Sequence, residues 1–115
     1  MLRLKSKLWV QAHVRRCNDA GLSAMLVQSG NEDAGDIFIK SNYLDGTATI
    51  YGAAPGGAHD ENGERRWSQP LGQKPLPETE VDTYLERQRQ YDPDFWIIEI
   101  EDRSGRVFLD NVLSD

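Results

Sequence analysis

The fold is indicated first by one stretch of sequence, DIFIKSNYLDGTATIYGA, which spans residues 36–53. Two alternating runs rich in β-branched and aromatic residues flank Asp45-Gly46, and such a dipeptide between such runs is typical of a β-hairpin turn. A two-residue loop pairs Leu44 with Thr47 and sets the register. One face then carries Ile37, Ile39, Ser41, Tyr43, Ala48 and Ile50, and the other carries Phe38, Lys40, Asn42, Leu44, Thr47, Thr49 and Tyr51. We expect the first set to face the core.

Helices and further strands are predicted on both sides of this hairpin. Apolar residues at helical spacing predict helices over residues 6–20 and 78–91, the second ended by Pro93. Strands are predicted at residues 24–29 (buried on both faces), 65–71, 95–101 and 106–109. The order is α-β-β-β-(β)-α-β-(β), which predicts an α+β domain with an antiparallel or mixed sheet of four to six strands and two helices on one face.

Length and composition are those of one small globular domain over residues 1–115. Cys17 is the single cysteine, which excludes an internal disulfide and fits a cytoplasmic protein. No apolar run is long enough to span a bilayer, so no transmembrane segment is predicted. The net charge of −6 argues against a generally basic nucleic-acid binder, and nucleic acid is not an expected partner.

An acidic cluster follows the second predicted helix and offers the main catalytic hypothesis. Asp92, Asp94, Glu99 and Glu101 are candidate catalytic residues, and Asp94, Glu99 and Glu101 are candidate metal ligands. Glu99 and Glu101 share one face of a strand, so they could hold Mg²⁺ for phosphodiester hydrolysis. The alternative is that Asp92 and Asp94 shape a turn while the glutamates are solvated or paired with arginines. No lysine follows Lys74, although such sites normally include one.

The two histidines and the cysteine give weaker signals. His13 and Cys17 lie on the apolar face of the first predicted helix, where core positions are expected. His59 lies in a glycine-rich loop, where a solvated turn is expected. No phosphate-binding glycine loop, dinucleotide fingerprint or serine-nucleophile motif is present, so no cofactor is predicted.

Two surfaces are candidates for binding. The first sixteen residues carry five bases and no acid, so the basic N-terminal helix could contact RNA or an anionic membrane surface. The alternative is that it neutralises the acidic remainder within the fold. Phe38, Leu44 and Tyr51 share the second face of the hairpin, and if no helix covers them they form an interaction surface for a protein partner or a homodimer.

Several fragments together resemble the alphaproteobacterial family of uncharacterised proteins known as domain of unknown function 1491. The likeness is carried by Leu8-Trp9-Val10, by the turn from Gly30 to Gly35, and by the run from Arg87 to Asp102. The sequence departs from the family pattern at His13 and Asn31. The resemblance implies a bacterial, cytoplasmic, single-domain protein and brings no activity or site residues. We therefore predict a non-catalytic protein-interaction module, with metal-dependent hydrolysis and RNA or membrane-surface binding as alternatives.

Overall fold

A computed structural model describes residues 4–113 of the protein. The elements are α1 (Ser6–Asp19), β1 (Ser23–Gln28), β2 (Ile37–Asn42), β3 (Thr47–Ala53), β4 (Trp67–Ser68), β5 (Leu76–Pro77), α2 (Glu78–Tyr91) and β6 (Trp96–Glu101). This order and the mixed sheet confirm the predicted α+β class. Within residues 4–113, no helix is long and apolar enough to cross a membrane.

The sheet has the strand order β1-β6-β2-β3-β4, and β5 pairs with β3. β6 is parallel to β2 and antiparallel to β1, whereas β2 and β3 form the antiparallel hairpin. The chain therefore returns through α2 to insert its last strand between β1 and β2. This long return explains why the sheet is mixed, since parallel neighbours need a crossover connection.

The two helices pack on opposite faces of the sheet, so our expectation that both lie on one face is wrong. α1 contributes Val10 to the apolar cluster on one face, and α2 contributes Val81 to the cluster on the other. Ile97 and Ile98 are neighbours in β6 and belong to different clusters, yet each is at most 2% exposed. Strands with apolar residues on both sides need cover from both sides, which two helices on opposite faces provide.

The hairpin loop has three residues, Leu44-Asp45-Gly46, and not the two that we predicted. The backbone N–H of Tyr43 donates to the carbonyl of Thr47 at 3.0 Å, so these two residues close the ladder. Leu44 and Gly46 both have positive φ, 61° and 88°. The side chain of Asn42 accepts a hydrogen bond from the Leu44 N–H at 2.8 Å and so stabilises this unusual leucine conformation.

The longer loop shifts the register of the hairpin by one residue. Ile39 is paired with Tyr51, and Lys40 with Ile50. The predicted sharing of faces is therefore wrong, because a shift of one residue moves a whole strand's side chains to the opposite face. Tyr51 packs with the α1 cluster, and Phe38 packs with the α2 cluster.

β1 is an edge strand, and our prediction that it is buried on both faces is wrong. Met25, Leu26 and Val27 are 39%, 46% and 52% exposed. The side chain of Asn18 covers the start of this edge, since it donates to the carbonyl of Ala24 (3.0 Å) and accepts from its N–H (2.8 Å). The ladder with β6 is also interrupted by a bulge near the end of β1.

The last predicted strand, at residues 106–109, does not form. Phe108 and Asn111 have φ of 52° and 58°, which is outside the strand region. Val112 instead makes one parallel bridge with Trp67, beside the short strand β4. The segment after β6 therefore packs against the α1 side of the fold without extending the sheet.

Candidate functional site

The four candidate acids are not gathered into one site. The Asp92 carboxylate accepts a hydrogen bond from the backbone N–H of Asp94 at 2.9 Å, and the carbonyl of Asp94 accepts one from the N–H of Asn31 at 3.2 Å. Asp92 and Asp94 thus belong to the turn between α2 and β6. Glu101 lies at the end of β6, and Glu99 takes part in a separate polar cluster on the α2 face of the sheet.

That polar cluster is centred on a buried lysine. The Lys40 side chain is only 6% exposed, and its Nζ donates to Glu78 at 2.6 Å and to Asp82 at 2.8 Å. A carboxylate oxygen of Glu99 lies 3.6 Å from the same nitrogen. The side-chain amide of Asn42 donates to Glu78 at 3.3 Å and to Glu99 at 3.1 Å. We call these five residues the Lys40 cluster.

The Lys40 cluster holds its ammonium in the charged form. Burial alone lowers the pKa of Lys40, but hydrogen bonds to Asp82 and Glu78 and the nearby charge of Glu99 raise it above its usual value. No group of three or more acidic, histidine or cysteine side chains in the described part of the chain is arranged to hold a metal ion. The cation that these carboxylates surround is therefore the ammonium of Lys40 itself.

Reasoning along the sequence missed this cluster because its members come from three separate segments, β2, α2 and β6. Lys40 lies beside Glu99 only because β2 and β6 are parallel neighbours in register. Two signals were present: Lys40 directly follows the apolar run Ile37-Phe38-Ile39 in its strand, and Glu78 and Asp82 are one helical turn apart at the start of α2. We noted that no lysine follows Lys74 in the chain, but Lys40, which precedes it, lies beside Glu99 in the fold.

The basic residues at the start of α1 lie against acids of the fold. Lys5 Nζ is 3.4 Å from the Asp33 carboxylate, and Lys7 Nζ is 3.3 Å from that of Glu32. All four side chains are exposed, so each pair contributes little to stability but cancels local charge. Arg3 lies outside the described residues.

His13 and Cys17 lie in the core beneath α1. His13 Nε2 lies 2.8 Å from the carbonyl oxygen of Val107, and its ring stacks on Trp9 with centroids 4.5 Å apart. Burial is the main cause that lowers the pKa of His13, and burial raises the pKa of the Cys17 thiol. Cys17 is 0% exposed. The structure thus places both residues among the buried residues of the fold.

The three residues of the predicted interaction surface are separated. Phe38 lies under α2, where its ring meets Tyr84 and Phe95 edge-to-face. Tyr51 is buried on the opposite face of the sheet, and Leu44 is exposed in the hairpin loop. The three side chains do not share a face, because the hairpin register differs by one residue from the predicted one. Three consecutive exposed apolar residues, Met25, Leu26 and Val27, lie instead in β1.

A polar cavity lies near the N-terminus of α1 and was not predicted. Its volume is about 400 Å³, and its walls include Asp33, Asp36, Gly56, His59 and Arg65. The sequence offered one signal, the glycine-rich loop that carries His59, but the loop alone did not indicate which charged residues it meets. Arg65 was missed because its neighbours come from α1 and from the turn before β2.

These observations define a small three-layer α+β module with a free sheet edge and a polar cavity. The chain belongs to the family described as "Protein of unknown function (DUF1491)", whose model matches residues 4–110. The predicted membership is thereby confirmed. No curated protein matches the chain.

Solved structures of relatives have the same fold. The crystal structure of a DUF1491 family protein from Caulobacter crescentus CB15 is 37% identical, with a TM-score of 0.80 over 96% of this chain and 99% of that one. The solution structure of a protein from A. tumefaciens is 34% identical, with a TM-score of 0.81 over 99% and 98% of the two chains. An NMR structure of a DUF1491 family protein from Caulobacter crescentus CB15 is 36% identical, with a TM-score of 0.79 over 99% and 100%. These relatives are bacterial and bring no activity.

Proposed function

We propose that this protein is a non-catalytic interaction module that associates with a second copy of itself through the free edge of β1. The observation that carries the proposal is the exposure of three consecutive apolar side chains, Met25, Leu26 and Val27, at the end of the sheet. An apolar edge strand is a template for pairing with another strand, and proteins usually protect such edges with charge or proline. β1 contains neither.

The hydrogen bonds along β1 favour one register for the pairing. Asn18 bonds both backbone groups of Ala24 from outside the sheet, so Ala24 points its N–H and C=O away from β6. Alternation along an antiparallel strand gives Leu26 the same orientation. A two-fold axis through Leu26 would then pair this residue with its copy. Met25 would lie beside Val27 of the partner subunit, and no like charges would meet.

Asn18 and the bulge limit the open ladder to a few residues, so the association is expected to be weak and reversible. Interfaces well below the standard size are typical of transient contacts. The same limit opposes pairing along the whole edge, since the backbone at the start of β1 is already bonded to Asn18. The buried thiol of Cys17 fits the cytoplasm as the place where this module acts.

Sedimentation velocity between about 10 μM and 1 mM tests the proposal. We expect the wild-type weight-average mass to rise with concentration. Leu26→Lys should keep the protein monomeric, because two lysines would face each other across the two-fold axis. Leu8→Lys is the matched control, since Leu8 is 50% exposed on α1 and gains the same charge away from the edge. A wild type that stays monomeric throughout, or an equal effect of both variants, would contradict the proposal.

The two alternatives have less support from the described residues. The acids predicted to bind metal are divided between a turn and the Lys40 cluster, where the ammonium already compensates the charge of Glu99. Two lysines of the basic helix lie next to acids of the loop before β2. Metal-dependent hydrolysis and RNA or membrane-surface binding therefore stay predictions.

A further inference from the structure

Arg65 lies where the loop after β3 folds back over the start of α1. Backbone bonds between Arg66 and Ala58 (2.8 Å) and a bridge between Arg65 and His59 hold the loop in a small hairpin of its own. The Arg65 guanidinium donates to Ser6 Oγ at 3.1 Å. Loop and helix thus hold this side chain in one position.

The positive charge of Arg65 has no ionic partner in the described part of the chain. None of the carboxylates in residues 4–113 lies within 4 Å of the guanidinium, and the buried Nε–H has no hydrogen-bond partner. Loss of hydration lowers the pKa of Arg65, which the more distant charge of Asp36 opposes. The guanidinium is half-buried and lies over the Trp9 ring, 5.7 Å from its centroid, a contact that supplies no negative charge. A partly buried charge without an ionic partner is suited to an anion from outside the chain.

The cavity beside Arg65 has room for such an anion. Its volume of about 400 Å³ is within the range of small-molecule sites. Gly56 and Gly57 form one wall with φ of 87° and 138°, and a Cβ at Gly56 would meet nothing within 4 Å. Because neither glycine has a side chain, this part of the wall is formed by the loop backbone. Asp33 and Asp36 stand on another part of the wall.

We propose that this cavity binds a small carboxylate that also carries an amino or hydroxyl group. The planar guanidinium of Arg65 would bind a carboxylate through parallel hydrogen bonds from its two terminal nitrogens, since its Nε–H is buried. Asp33 and Asp36 would repel a doubly charged phosphate, but they accept hydrogen bonds from an ammonium or hydroxyl group of the same ligand. Lys5 lies 3.4 Å from Asp33 and compensates part of its charge, which leaves Asp36 as the main acceptor.

Titration of the protein with defined probes, followed by two-dimensional NMR, tests this site. The probes are glycine, lactate, acetate and inorganic phosphate, each at up to about 50 mM at constant ionic strength. We expect glycine and lactate to shift the amide signals of residues 56–59 and the Arg65 Nε–H signal. Acetate should bind more weakly, and phosphate most weakly. The absence of saturable shifts at these positions for glycine and lactate would overturn the proposal.

Three variants distinguish recognition by Arg65 from a general effect of charge. Arg65→Gln should weaken glycine and lactate binding about 10- to 100-fold, because the paired hydrogen bonds are lost. Arg15→Gln removes an equal charge from an exposed site on α1 and should leave binding unchanged. Asp36→Asn keeps Arg65 in place and should weaken the binding of glycine while it strengthens the binding of phosphate. The proposed site would be contradicted if Arg65→Gln bound glycine and lactate as tightly as wild type. It would also be contradicted if Asp36→Asn left the order of affinities for the four probes unchanged.

Discussion

Replacement of Lys40 by methionine is predicted to destabilise the fold by about 2 kcal/mol. Loss of one partner of a fully buried ion pair costs roughly 3–5 kcal/mol, because the other charge stays buried and unpaired. Here the side chains of Glu78 and Asp82 are 36% and 56% exposed, so water can solvate them again. Glu99, at 19% exposure, bears most of the cost. For a chain of 115 residues, a loss of this size lowers Tm by about 8 °C.

Urea unfolding and thermal unfolding, both followed by circular dichroism, measure this loss. Lys74→Met is the matched control, since Lys74 is exposed and its replacement should change the free energy of unfolding by less than about 0.5 kcal/mol. Adding Glu99→Gln to Lys40→Met should recover about 1 kcal/mol, because the unpaired carboxylate is removed. If Lys40→Met is as stable as Lys74→Met, the Lys40 cluster does not stabilise the fold and our reasoning is refuted.

The two remaining stability predictions concern His13 and Gly30. Burial lowers the pKa of His13 in the folded state, so the imidazole binds a proton more readily in the unfolded state. The free energy of unfolding is therefore not reduced by this histidine above about pH 6.5, and it falls as the pH is lowered from there. Urea unfolding between about pH 5 and 7 should show this slope in wild type and a smaller one in His13→Gln, and equal slopes would contradict the prediction. Gly30→Ala would place a Cβ 2.5 Å from the backbone carbon of Phe95 and should cost about 2–3 kcal/mol in urea unfolding. In the control Gly46→Ala the new methyl group meets no neighbour, so only the positive φ should lower the free energy of unfolding, by about 1 kcal/mol. A Gly30→Ala protein as stable as this control would contradict the prediction, because it would show that the turn between α2 and β6 can move.

Elements with strong local signals were predicted well from the sequence. The bounds of α2 (Glu78–Tyr91) and β3 (Thr47–Ala53) agree with the predicted ones. Pro93 sets the end of α2, since it excludes the helical conformation at the residue before it, and the turn at Asp45-Gly46 sets the start of β3. In both cases the residues that set the boundary are close in sequence to the helix or strand concerned.

The predictions that were wrong depended on contacts between residues distant in sequence, or on an unusual local hydrogen bond. The hairpin register changed because Asn42 supports a leucine at positive φ, which a rule based on Asp-Gly turns does not include. The placement of α1 and α2 on opposite faces, the position of β6 between β1 and β2, and the meeting of Lys40 with Glu99 all follow from the crossover through α2. The cavity at Arg65 likewise joins segments that are far apart in the chain.

Amide hydrogen exchange at Leu26 tests the proposed function most directly. In the monomer its N–H points away from β6 and into solvent, so it should exchange quickly. We predict that this amide becomes more protected as the wild-type concentration rises from about 10 μM to 1 mM, and that Val27→Lys abolishes the added protection. Exchange at Leu26 that does not change with concentration would contradict association through the edge of β1.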